Sequence, residues 1–169
     1  TVEAFAASCQ ADFRKEYSGT DGAITISISS QGEQQVSALT MTSKEKAVFF
    51  LMHIPYGIEK MSGEIEGLVE TSNNIGVLRI EDGMLCASCG IRSSVGSAKL
   101  YVSEKIQYLT EFLGGEYTVM GDYPAWEYKK DSVLRELMAD TYRELFGKEA
   151  SVKAIHAGLE CGLFYDKIP

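Results

Sequence analysis

The chain has 169 residues, of which 45% are apolar and 24% charged, the composition of one soluble globular domain long enough to bury a core. Its net charge of −8 disfavours nucleic acid and anionic membranes as partners. Apolar runs such as Ala47 to Met52 are far too short to span a bilayer, so no membrane partner is expected.

The opening Thr1-Val2-Glu3 has no initiator Met, which fits an excised domain and a processed chain equally well, and no basic stretch of a signal peptide, so a cytoplasmic protein is expected. Val2, Phe5, Ala6, Cys9, Phe13 and Tyr17 share one helical face, and Gly19 to Gly22 break that helix. Ala23 to Ser29 alternates strictly, as a half-buried strand does. Ser30 to Gln35 is a polar turn. Thr42 and Glu45 make a capping box for a helix through Ala47, Val48, Leu51 and Met52, which Pro55 ends. The glycine-punctuated stretch from Tyr56 to Gly67 reads as a loop.

Leu68 to Ile80 and Met84 to Ser93 read as two strands joined at Glu81-Asp82-Gly83, a hairpin signal. A helix from Ser97 to Leu113 turns Val102, Ile106, Leu109 and Leu113 inward and closes at Gly114-Gly115. Glu116 to Met120 is predicted as a short strand, and Gly121 to Lys130 as a loop. Asp131 or Ser132 caps a helix bearing Leu134, Leu137, Met138, Thr141, Tyr142 and Leu145, which Gly147 stops. Ser151 to His156 is the last expected strand. The pattern predicts an α+β two-layer sandwich, a ferredoxin-like antiparallel sheet with helices packed on one face and a helical N-terminal extension.

Cys86-Ala-Ser-Cys89 has the spacing of a zinc or redox pair. On a strand, however, residues three apart point to opposite faces, so a flat strand cannot bring both sulfurs to one metal. Buried free thiols in a reducing compartment are the expectation. His53, on the apolar part of its helix, is expected to be a hydrogen-bonded core residue. His156 and Glu160, four apart across a glycine turn, do not supply the three ligands a metal needs. No P-loop, GxGxxG or Ser/His/Asp arrangement occurs.

Arg92 lies on the strand face that also carries Cys86, Ser88 and Gly90, opposite the Leu85, Ala87, Cys89 and Ile91 face. Its guanidinium either grips a ligand carboxylate bidentately or pairs with a surface Glu in an acidic protein. Asn74 sits in a polar insert, Glu70-Thr71-Ser72-Asn73-Asn74, inside an otherwise apolar strand. Its amide either binds a ligand or marks a bulge or strand entry.

The run Ala154-Ile155-His156-Ala157-Gly158-Leu159-Glu160-Cys161-Gly162-Leu163-Phe164 resembles the matching stretch of bacterial aminoacyl-histidine dipeptidases (Xaa-His dipeptidase, peptidase D). Val69-Glu70-Thr71-Ser72-Asn73-Asn74-Ile75-Gly76-Val77, Ile91-Arg92-Ser93-Ser94, and Tyr123-Pro124-Ala125-Trp126 running into Thr141 to Phe146 agree in the same order. The likeness is dense from Gly67 to Phe164 and weak before it; Asn73, Ala125 and the cysteine-rich strand depart from the pattern.

That family consists of zinc-dependent exopeptidases in which a lid or dimerisation domain interrupts a catalytic domain. The resemblance implies that residues 1–150 are a partial lid with its helical extension, and that residues 151–169 return toward a missing catalytic domain. It implies that the full-length parent carries zinc on ligands outside this chain, because no HxD, Glu-Glu or GHSGG motif occurs here. No catalytic or metal residue is then expected in this piece, which alone should be inactive. It further implies that Arg92 holds the substrate's C-terminal carboxylate, that Asn74 meets the substrate backbone, and that His156 and Glu160 line the cleft. The expected partners are a dipeptide such as β-alanyl-histidine, the catalytic domain, and a second copy in a homodimer. The competing expectation is a self-contained ferredoxin-like module that binds a small ligand or dimerises.

Overall fold

The computed structural model describes residues 1–157, 161–165 and 167. The chain divides into two compact units, Thr1–Ala38 and Leu39–Pro169.

The first unit holds helix α1, Val2–Glu16, whose N-cap Thr1 accepts from the Ala4 amide. The strand expected at Ala23 to Ser29 does not form. A strand needs a ladder partner, and here helix side chains serve the backbone instead. The Arg14 guanidinium donates to the Ile24 carbonyl at 2.7 Å, and the Ile26 amide donates to Gln10 Oε1 at 2.7 Å.

In the second unit, helix α2 spans Met41–His53. Its N-cap is Thr40 rather than Thr42, with the Thr40 hydroxyl accepting from the Ser43 amide at 3.2 Å. Ile54 leaves the helix in an extended conformation, as a residue before proline must. Gly57, at φ 88°, then admits strand β1, Gly57–Met61, where the sequence suggested only a loop. Strand β2, Val69–Glu81, and strand β3, Met84–Ser93, follow, and Asp82 and Gly83 both take positive φ in the tight turn between them. The sheet is an antiparallel meander in the order β1-β2-β3.

Helix α3, Gly96–Phe112, crosses one face of this sheet. Ile54, Val102 and Ile106 form the buried centre, with Phe50, Ile75, Cys89, Ile91, Leu109 and Tyr117 packed around them. Each buried aliphatic side chain contributes about 1.5–3 kcal/mol, so a centre of this size is modest. The α+β pairing of an antiparallel sheet with helical packing on one face is therefore as the sequence predicts. Two of the strands of the ferredoxin-like pattern are not formed: Glu116 to Met120 and Ser151 to His156 are irregular.

Helix α4, Val133–Phe146, is capped by the Ser132 hydroxyl and ends on Gly147 in the left-handed conformation. The short helix α5, Cys161–Tyr165, comes last. His53 does bond the Phe49 carbonyl at 2.8 Å, but it is exposed and stacks on the Phe49 ring rather than lying in the core. Cys9, Cys86 and Cys89 are free thiols, half-buried rather than buried. Burial pushes the Cys89 thiol up, opposed by a hydrogen bond from Asn73.

Candidate functional site

The β2–β3 ladder sorts its residues by parity. Thr71, Asn73 and Ile75 oppose Ser93, Ile91 and Cys89, and this set turns toward α3. Ser72 opposes Arg92 and Asn74 opposes Gly90, so these four project from the other face. Gly90 leaves open space there, since a Cβ would meet only the Asn74 carbonyl, 4.0 Å away. The register slips between Ile75 and Val77, and Gly76 is the extra residue of that bulge. The polar insert abuts that bulge, and Asn74 lies on the face away from α3.

Arg92 is exposed and forms no ion pair among the described residues. A surface pairing with one of the many carboxylates, the plainer expectation from sequence, is not what is seen there. The nearest strand carboxylate on the same face is already occupied: Glu70, 8% exposed, bonds Lys60 at 2.9 Å.

His156 completes the face from a distant part of the chain. Its Nε2 lies 2.7 Å from Ser72 Oγ. Burial lowers the His156 pKa from its ordinary value, and the Arg92 charge lowers it further, while a hydrogen bond to the Val69 backbone acts in the opposite direction. The ring is thus biased toward its neutral form beside a guanidinium.

Of the residues singled out from sequence, Arg92, Asn74 and His156 are gathered on this face, and Glu160 lies outside the described residues. Ser72 and the buried Asn73 were missed. Ser72 shares the parity of Arg92 through the ladder, and that spacing was the available signal. Nothing local could have shown its contact with His156, 84 positions away. Among the described residues no group of three or more His, Cys, Asp or Glu side chains could hold a metal ion.

A second contact ties the same neighbourhood together. Lys99 donates to Asp122 Oδ1 at 2.6 Å and to the Tyr123 carbonyl, anchoring the aromatic loop at the start of α3. Gly162 of α5 is buried against that loop, where a Cβ would lie 3.0 Å from the Pro124 carbonyl oxygen and 3.6 Å from Trp126 Cβ. The sequence stretches Val69 to Val77, Ile91 to Ser94, Tyr123 to Trp126 and Ala154 to Phe164, scattered along the chain, are therefore linked by direct contacts within one unit.

No family model matches the chain. It is 36% identical over 133 residues to the cytosol non-specific dipeptidase of Escherichia coli (strain K12), covering 79% of this chain and 27% of that protein. It is also similar to the crystal structure of aminoacylhistidine dipeptidase from Vibrio alginolyticus, with a TM-score of 0.69 and 29% identity over 95% of this chain and 35% of that one. The chain thus spans roughly a quarter to a third of the length of these proteins. No helix among the described residues is long and apolar enough to cross a membrane.

Proposed function

We infer function from one premise: the chain is a homologue of a segment of the aminoacylhistidine and cytosol non-specific dipeptidases. It serves as the lid of a cytoplasmic dipeptidase, residues 1–150 forming the lid proper and residues 151–169 leading toward the catalytic part. The parent hydrolyses dipeptides with a C-terminal histidine, such as β-alanyl-histidine, and carries its zinc on residues outside this chain. The role of this piece is then to bind and orient substrate.

The observation that carries this reading is the face bearing Arg92, Asn74 and His156. A dipeptide presents a free carboxylate at one end, and Arg92 is a guanidinium with no ion-pair partner among the described residues. Its planar fork suits bidentate capture of that carboxylate, and a strand holds it with less disorder than a loop. Asn74, two pairs along the ladder on the same face, supplies an amide for the peptide backbone. His156 walls the face, and the role in the cleft proposed for Glu160 rests on the likeness of the sequence alone, since that residue lies outside the described ones.

The hairpin beyond the bulge suits dimerisation. Val77, Leu78, Ile80, Met84 and Leu85 are 44, 45, 59, 63 and 37% exposed, an apolar surface on both sides of a paired ribbon. A second copy covering it would remove this surface from water.

Kinetics of the full-length enzyme test the reading. Arg92→Ala should raise KM for β-alanyl-histidine and lower kcat/KM by about 2–4 kcal/mol, the scale of a lost desolvated charge contact. Kinetics within about twofold of the wild type would remove Arg92 from the site.

A further inference from the structure

We propose that Ser72 is a positioning residue: its hydroxyl holds the imidazole of His156 beside Arg92 as one wall of the carboxylate-binding face. This rests on the reading of Arg92 given above.

The segment that delivers His156 is not held down by apolar packing. Val152 and Ile155 are 60 and 62% exposed, whereas His156 turns inward and is half-buried. The 2.7 Å contact with Ser72 is the side-chain hydrogen bond that joins the ring to the sheet. Ser72 is itself half-buried and sits opposite Arg92 in the ladder, so hydroxyl, imidazole and guanidinium share one patch.

A neutral imidazole has one donor and one acceptor nitrogen, and a hydroxyl that can donate or accept serves Nε2 in either tautomer. A backbone hydrogen bond to Val69 also serves the ring, while burial with the Arg92 charge disfavours a second proton. The other charges nearby, Glu70 on β2 and Lys60 on β1, are paired with each other. A neutral His156 leaves Arg92 as the cation of the patch, placed by a ring that neither repels it nor competes for the carboxylate. Ser72→Ala removes the side-chain partner of Nε2 and leaves a half-buried ring nitrogen unserved, so the ring is free to turn.

The chain contains two histidines, so long-range proton–nitrogen spectra resolve both rings. The Nε2 signal of His156 should shift in Ser72→Ala, and Ser72→Thr, which keeps the hydroxyl, should restore the wild-type signature. In the full-length enzyme, Ser72→Ala should raise KM for β-alanyl-histidine about fivefold with kcat held within about twofold, the size of one lost neutral hydrogen bond. A Ser72→Ala chain with an unchanged His156 Nε2 signal and KM overturns the proposal. If Arg92→Ala raises KM while Ser72→Ala does not, the positioning role fails and the carboxylate site stands. If neither raises KM, the carboxylate site itself fails.

Discussion

Asn73 and Pro55 are joined by a 2.6 Å hydrogen bond, in which the fully buried amide nitrogen of Asn73 donates to the Pro55 carbonyl. The bond pins the middle of β2 to the turn where α2 ends and β1 begins. Those elements also enclose Ile54, so the polar pin and the small apolar centre support one another. Asn73→Ala would leave the Pro55 carbonyl buried without its donor. Unfolding in urea should show a loss of about 1–3 kcal/mol, and an unchanged midpoint would mean that the pin contributes nothing.

The depressed pKa of His156 makes stability depend on pH with a definite sign. Its folded pKa lies below the ordinary 6.5 because of burial first and Arg92 second. The unfolded state therefore binds more protons in the window just below that value. The contribution is fully present above pH 6.5 and is lost as pH falls through the folded pKa. Titration of the His156 ring by NMR should place its midpoint below the ordinary value, and Arg92→Ala should relieve part of that depression. A midpoint that does not move in the Arg92 variant would mean the two groups do not sense each other.

Gly162 should tolerate no side chain. Its Cβ would sit 3.0 Å from the Pro124 carbonyl oxygen, closer than real Cβ atoms normally approach an oxygen, and 3.6 Å from Trp126 Cβ. Gly162→Ala should therefore push α5 off the aromatic loop, at a cost of about 1–3 kcal/mol for a forced fit. Trp126 is the only tryptophan, so its fluorescence reads this contact directly. An emission spectrum identical to the wild type would show that α5 and the loop do not meet in solution.

Helix α4 depends on its ends. Leu134, Leu137, Met138 and Leu145 are 66, 60, 65 and 71% exposed, so its apolar stripe gains little from packing among the described residues. What holds it locally is the Ser132 hydroxyl on the Arg135 amide at 3.3 Å and the left-handed Gly147. Ser132→Ala should cost about 1 kcal/mol of helix stability. Gly147→Ala should add about 1 kcal/mol of backbone strain at a positive φ. Circular dichroism should record reduced helix content in each variant and a larger loss in the double variant. Full helicity in the double variant would mean that packing, not capping, sustains α4.

What was legible in the sequence was whatever is decided over a few residues. The extent of α3, the Ser132 and Gly147 ends of α4, the Asp82-Gly83 turn and the parity that puts Arg92 opposite the core face all follow from local periodicity and turn chemistry. Strands were less legible, because a strand exists only if another segment accepts its hydrogen bonds. Ala23 to Ser29 alternates well yet is served by Arg14 and Gln10, while the unpromising Gly57–Met61 pairs with β2.

The sequence by itself determined which side chains share a face of β3, through the two-residue period, and it carried the likeness to a dipeptidase segment in its motifs. Only the tertiary structure decided that Ser72 meets His156, that Asn73 is a buried pin rather than a neutral departure, and that Gly162 seats against Pro124. Those contacts join residues 84, 18 and 38 positions apart. No local preference encodes such pairs; they form because packing α3 on the sheet and closing the loops bring distant polar groups within hydrogen-bonding distance.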